Sequence, residues 1–273
     1  MASTDTPVAV GVKDLVTDAA AVRMAAAEAA ATGRPLHVVH AFMWPLELPE
    51  GGTGEEREQA ERTVADAAER ARDWHRDLVV TPEVVDGETI EVLLRTAARA
   101  SMLVLGSDDP GGPADPSASV SFQVAARAAG PVLCARGSDT ASGPVVVGVD
   151  GSPDASVGLA TAVEEARRRS AELVVLHAEG TACAETLNAA DLKVEHRRVE
   201  GPAGKALIAA SASAQLVVVG AQGDRPTPLG PVTQAVLRHA DCPVLVARRR
   251  HMPAQSRIAS SSRRAARLGP ALA

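Results

Sequence analysis

Four blocks of this sequence occur twice, in the same order, and that duplication limits the possible folds more than any other feature. "PVAVGVKD" (7–14) returns as "PVVVGVDG" (144–151), and "LHVVHA" (36–41) returns as "LVVLHA" (173–178), both at an offset of 137. "VDGETIEVLLRTAARASMLVLGS" (85–107) matches "VEGPAGKALIAASASAQLVVVGA" (199–221) at an offset of 114. "VSFQVAARAAGPVLCAR" (120–136) matches "VTQAVLRHADCPVLVAR" (232–248) at an offset of 112. The second copy therefore lacks 23 residues between its second and third blocks. In the first copy that region holds "EEREQAERTVADAAERARDWHRDL", whose apolar positions recur at three and four, so it reads as a helix.

Each copy alternates short Val/Leu runs with Ala-rich helical stretches, which indicates a parallel sheet covered on both faces. The expected fold is α/β: two tandem, doubly wound domains, each with a five-stranded parallel sheet, packed as a pseudo-dimer. The boundaries fall at 1–137 for the first domain, 138–143 for a linker, 144–249 for the second domain and 250–273 for a basic tail that reads as disordered.

Composition narrows the function. The chain has 2 Phe, 2 Trp and no Tyr, so it lacks the aromatic platforms on which single-stranded nucleic acid stacks. The net charge is −6, and the stretch from Arg248 onward carries seven arginines and no acid, leaving −13 on residues 1–247. An acidic body argues against nucleic acid as a partner. Three cysteines without a Cys-x-x-Cys suit neither a disulfide framework nor a zinc site, and fit a reducing cytoplasm. Neither a signal peptide nor an apolar run of membrane-spanning length is visible.

The turn "GAQGDRPTPLGPV" (220–232) lies between a buried strand and a helix, where α/β proteins hold phosphates. Yet Pro226, Pro228 and Pro231 offer no N–H, and Asp224 adds negative charge. "GPAGKAL" (201–207) lacks both the spacing glycine and the hydroxyl of a Walker loop and is set aside. His40 and His177 end equivalent strands and read as packed residues. His239 suits a helix C-terminus, and Cys134 and Cys242 read as small buried hydrophobes. No triad, paired carboxylates or metal-spaced set points to an enzyme.

"VVVGVDGSPDAS", "LVVLHA", "LVVVGAQG" and "GPVTQAVLRHADCPVLVARR" resemble the universal stress protein family over nearly the whole chain up to Arg249. The resemblance implies a Rossmann-like fold, a tandem-domain member, and last strands ("PVLCAR", "PVLVAR") that pair the two repeats. ATP-binding members of the family resemble one another in a G-x2-G-x9-G-[ST] turn, an aspartate ending the first strand and backbone after the second. Carried onto this chain, these fall on Asp150 and the adjoining Gly151, on Ala178, and on Gly220, Gly223 and Gly230, with Pro231 in place of the hydroxyl. The loop from Gly223 to Gly230 is three residues shorter than the pattern, a loss of up to about 10 Å of reach. In the first copy Lys13 replaces the aspartate, Asp109 and Ala118 replace glycines, and Asp108 and Asp115 add charge, while Ser119 is retained.

The resemblance and these readings together imply a cytoplasmic member of that family that is expected to act in the stress response by ligand binding or scaffolding, without tight ATP binding and without turnover. ATP, ADP or AMP in the second domain are the ligands left open. A nucleotide-dependent switch or slow ATPase using the second domain is one alternative. A protein-partner adaptor without a small ligand is the other, and a homodimer remains open.

Overall fold

The computed structural model of the chain describes residues 6–44, 54–106, 119–137, 142–178, 189–222 and 228–248. The first half contains β1 (Val8–Gly11), α1 (Ala19–Thr32), β2 (Leu36–Phe42), α2 (Gly54–Trp74), β3 (Val80–Asp86), α3 (Thr89–Arg99), β4 (Met102–Gly106), α4 (Val120–Arg127) and β5 (Val132–Ala135). The second contains β6 (Val145–Val149), α5 (Pro153–Arg168), β7 (Leu173–His177), β8 (Val194–Arg198), α6 (Ala203–Ser211), β9 (Leu216–Gly220), α7 (Pro231–His239) and β10 (Val244–Ala247).

The ten strands form one sheet in the order β3-β2-β1-β4-β5-β10-β9-β6-β7-β8. All pairs are parallel except β5 with β10, which run antiparallel with Val244 opposite Cys134, Leu245 opposite Leu133 and Val246 opposite Val132. The last strands thus join the two repeats, as the resemblance implied. The central strands are apolar at nearly every position because both faces are covered, one by α1, α2 and α5 and the other by α3, α4, α6 and α7. The outermost strands β3 and β8 keep exposed polar residues, and β3 carries Pro82, all of which discourages further pairing at the edges. Helix α2 packs on β2, β3 and α1. Among the described residues the second half has no counterpart to it, which accounts for its shorter sequence. No helix among the described residues is long and apolar enough to cross a membrane.

The duplication extends to backbone detail. Helix α1 ends at Gly33 with φ 61°, its N–H donating to Ala30 O and that of Arg34 to Ala29 O. At an offset of 137, Ser170 has φ 49°, its N–H donating to Arg167 O and that of Ala171 to Ala166 O. The left-handed helix ending is kept although Ser170 lacks glycine's freedom there.

Two charged devices span the seam. Arg136, which follows β5, donates from Nη2 to Arg238 O at 2.8 Å, at the C-terminal end of α7. Its counterpart Arg248, which follows β10, donates to Ala125 O and Ala126 O at 2.9 Å, at the end of α4. Each half thereby places a cation on the negative end of the other half's last helix. On the opposite face, Glu28 of α1 and Glu165 of α5, equivalent positions at an offset of 137, are buried and share Arg168 and Arg169. Removing either acid would leave the two half-buried guanidinium groups less compensated.

Burial, followed by the nearby Glu165 carboxylate, pushes the Glu28 carboxyl from 4.5 up to about 7, against the pull of Arg169 and Arg168. A carboxyl raised on folding binds its proton more tightly in the folded state, so stability falls as pH rises from 4.5 towards 7. Glu28→Gln is neutral at every pH and should flatten that fall, as read by urea unfolding across this window. An unchanged pH slope in the variant would contradict the assignment.

Candidate functional site

The site is built where β6 and β9 lie side by side and the chain departs from them in opposite directions along the sheet, the position at which open α/β sheets leave a crevice. After β6, Asp150 Oδ1 accepts from Ser152 N at 3.0 Å, and Gly151 takes φ 80° to make the tight turn. Ser152 then caps α5, its Oγ accepting from Ala155 N at 3.2 Å, with Pro153 in the first turn. After β7, Ala178 N donates to Val149 O at 3.0 Å, holding that strand end against the first.

The turn after β9 is braced from inside. Gly220 packs so closely on α5 that a Cβ there would lie 2.8 Å from the Asp154 carbonyl oxygen. Asp154 Oδ2 accepts from Gln222 N at 2.8 Å, and Thr233 Oγ1 donates to Gly220 O at 2.6 Å. Gly230 N donates to Ala221 O at 2.8 Å, closing the turn just before Pro231 begins α7. Two amides of the turn are therefore already engaged, and Pro228 and Pro231 have none to give.

These elements enclose a cavity of about 240 Å³ whose lining includes Asp150, Ala178, Gly220 and Gly230. Four of the six residues singled out in the sequence thus meet around one space. Gly151 shapes the adjoining turn, and Gly223 lies outside the described residues, as do Asp224, Arg225 and Pro226. Val149, Leu207, Val219 and Val232 give the cavity apolar walls. The starts of three helices converge on it: Ser152 and Ala155 of α5, Ala203 of α6, and Pro231 to Thr233 of α7. First-turn amides have no partner within their own helix and carry positive partial charge, so this end suits one small anionic or strongly polar group.

None of the described lining residues is Lys or Arg, and Asp150 contributes negative charge. The volume also falls below the roughly 300–1,000 Å³ usual for drug-sized ligands. The described lining thus combines apolar walls, the Asp150 carboxylate and the starts of three helices.

The first half differs at the start of its first helix. Helix α1 starts late, at Ala19, and Asp18 turns back to accept from Lys13 N at 2.6 Å and from Asp14 N at 3.2 Å. Its Oδ1 occupies the space over Gly106, the counterpart of Gly220, where an added Cβ would be 2.2 Å away. Burial raises this carboxyl above its ordinary range, and the two amides hold it down. Asp108, Asp109, Asp115 and Ala118 lie outside the described residues, and Ser119 caps α4 by accepting from Phe122 N at 3.2 Å.

Sequence reasoning did not single out Ser152, Asp154, Gln222, Thr233 or Asp18. The run Ser152-Pro153-Asp154, a cap followed by proline and an acid, was the readable signal for the first two. From the Walker-like stretch set aside in the sequence, Ala203 and Leu207 form cavity wall. His177 lies 2.9 Å from His196, between Nε2 and Nδ1, while the His40 Nδ1 is buried without a hydrogen-bond partner among the described residues. Neither histidine lines the cavity. Cys134 and Cys242 are buried, and burial pushes the Cys242 thiol up to about 12, so it packs as a hydrophobe and is a poor nucleophile.

The family model for the universal stress protein family matches residues 6–136, 142–182 and 178–248. A universal stress protein of Mycobacterium tuberculosis is 33% identical over 285 residues, covering 88% of this chain and 96% of its own. One from Mycolicibacterium smegmatis is 31% identical over 295 residues, covering 91% and 99%. Among solved structures, a universal stress protein from Archaeoglobus fulgidus superposes with a TM-score of 0.73 at 19% identity, covering 91% of this chain and 98% of its own.

A Cβ on Gly230 would lie 2.8 Å from the backbone oxygen of Gln222, which cannot swing aside as a side chain could. Gly230→Ala should therefore force the turn open at a cost of about 1–3 kcal/mol, seen as a lowered thermal midpoint. An unaltered midpoint would show that the turn is looser than described.

Proposed function

The chain belongs to the universal stress protein family, and from that premise we propose that it acts in the stress response as a non-catalytic receptor for an adenosine- or AMP-sized ligand. The second half holds the ligand and the first half serves as its structural partner. The observation that carries this reading is the cavity lined by Asp150, Ala178, Gly220 and Gly230, with three helix starts and no Lys or Arg among its described lining residues.

In this reading the apolar walls take the base, Asp150 accepts a hydrogen bond from it or from the ribose, and the start of α7 faces a single phosphate. A triphosphate would bring several negative charges to a place where the Gln222 and Gly230 amides are already engaged. That disfavours the slow ATPase and the ATP-dependent switch. A receptor that changes its surface on binding can still act on protein partners, so scaffolding is compatible with the same site.

Titration calorimetry with adenosine, AMP, ADP and ATP tests the proposal. AMP or adenosine should bind more tightly than ATP, and Asp150→Ala should weaken that binding about tenfold or more, the loss of one hydrogen bond to a charged group. ATP as the tightest ligand would overturn the choice of ligand class. Failure of all four to bind would favour the adaptor.

A further inference from the structure

We propose that Arg248 is a positioning residue that clamps the ligand turn of the second half to helix α4 of the first, so that the turn and the seam move as one unit. The mechanical part stands on geometry alone. Its significance for ligand binding rests on the proposed function above.

Arg136 and Arg248 are equivalent at an offset of 112, and each reaches the C-terminal end of the other half's last helix. Among the described residues Arg136 donates to Arg238 O, and Pro116, the counterpart of Pro228, lies outside them. Arg248 Nη2 also donates to Pro228 O at 2.9 Å, besides Ala125 O and Ala126 O at the same distance. That nitrogen has two hydrogens for three acceptors, so one N–H is shared, and all three carbonyls depend on the position of a single atom. Pro228 cannot shift without disturbing the end of α4, and α4 cannot shift without disturbing Pro228.

Pro228 stands two residues before Gly230, whose N–H closes the turn on Ala221 O and whose carbonyl accepts from Gln234 N. The clamp is therefore joined by a short stretch of chain to Pro231, Val232 and Thr233, which line the cavity. The Arg248 guanidinium is half-buried, a setting in which charge-assisted hydrogen bonds are strengthened. A ligand that tightens the start of α7 would tighten α4 through this one side chain.

Hydrogen exchange on the full chain tests the clamp, comparing wild type, Arg248→Met and Arg136→Met. In Arg248→Met the Gly230 amide and the Ala128 amide, which donates to Val124 O, should both exchange about tenfold faster. Arg136→Met should instead speed the Ala240 amide, which donates to Val236 O, and leave Gly230 within about twofold of wild type. Should Arg248→Met fold poorly, Arg248→Lys keeps the charge but loses the planar fork, and should give the same pattern more weakly. An unchanged Gly230 amide in the Arg248 variants, or equal loss of its protection in Arg136→Met, would overturn the proposal.

Adding AMP separates the clamp from the ligand reading. AMP should slow exchange at both Gly230 and Ala128 in wild type and only at Gly230 in Arg248→Met. Binding without any response at Ala128 overturns the coupling. Absence of AMP binding to wild type overturns the ligand reading, and the ligand-free comparison still decides the clamp.

Discussion

The antiparallel pairing of β5 with β10 is the constraint on which the rest of the structure depends. It merges two five-stranded sheets into one and buries the last strand of each half against the other. Because the strands reverse direction at this ladder, the carboxyl ends of the two halves point to opposite ends of the sheet. The same reversal brings the end of each last strand to the C-terminal end of the opposite helix, where Arg136 and Arg248 are placed. On the other face it sets Glu28 and Glu165 close enough to share two arginines. An apolar ladder thus supplies the contact, and the charges at its margins restrict how the halves can be oriented.

Duplication under this constraint let the two halves diverge. In the second, the cap at Ser152 starts α5 early, and the space beyond β6 and β9 remains open. In the first, α1 starts at Ala19 and Asp18 folds back onto the amides that follow β1. The Asp18 carboxylate there accepts from two backbone N–H groups and lies over Gly106. Lys13 in place of Asp150 and the acids of the following turn belong to the same change.

Much of this was legible in the sequence. The matched blocks located four of the five equivalent strands of each half, because a buried parallel strand has few ways to be written besides Val, Leu and Ala, whereas the edge strands β3 and β8 lie largely outside them. Asp150, Ala178, Gly220 and Gly230 could be placed together through the resemblance to the universal stress protein family, whose turn and strand-end pattern falls on them. Asp18 could not, since its role depends on a backward turn that brings it to amides four and five residues earlier. Arg248 read as the start of a basic tail, and its bonds to Pro228, Ala125 and Ala126 exist only once two distant loops meet. Glu28 and Glu165 did leave a trace, as acids at equivalent positions within Ala-rich stretches. Their pairing across the seam still required the packing of α1 against α5.

We propose that the second half of the chain offers a small-ligand site and that the first does not. Native mass spectrometry of the intact chain, titrated with AMP, measures this directly as a stoichiometry. One AMP per chain is expected, lost in Asp150→Ala. Two AMP molecules bound with similar affinity, or a single AMP retained in Asp150→Ala, would contradict it.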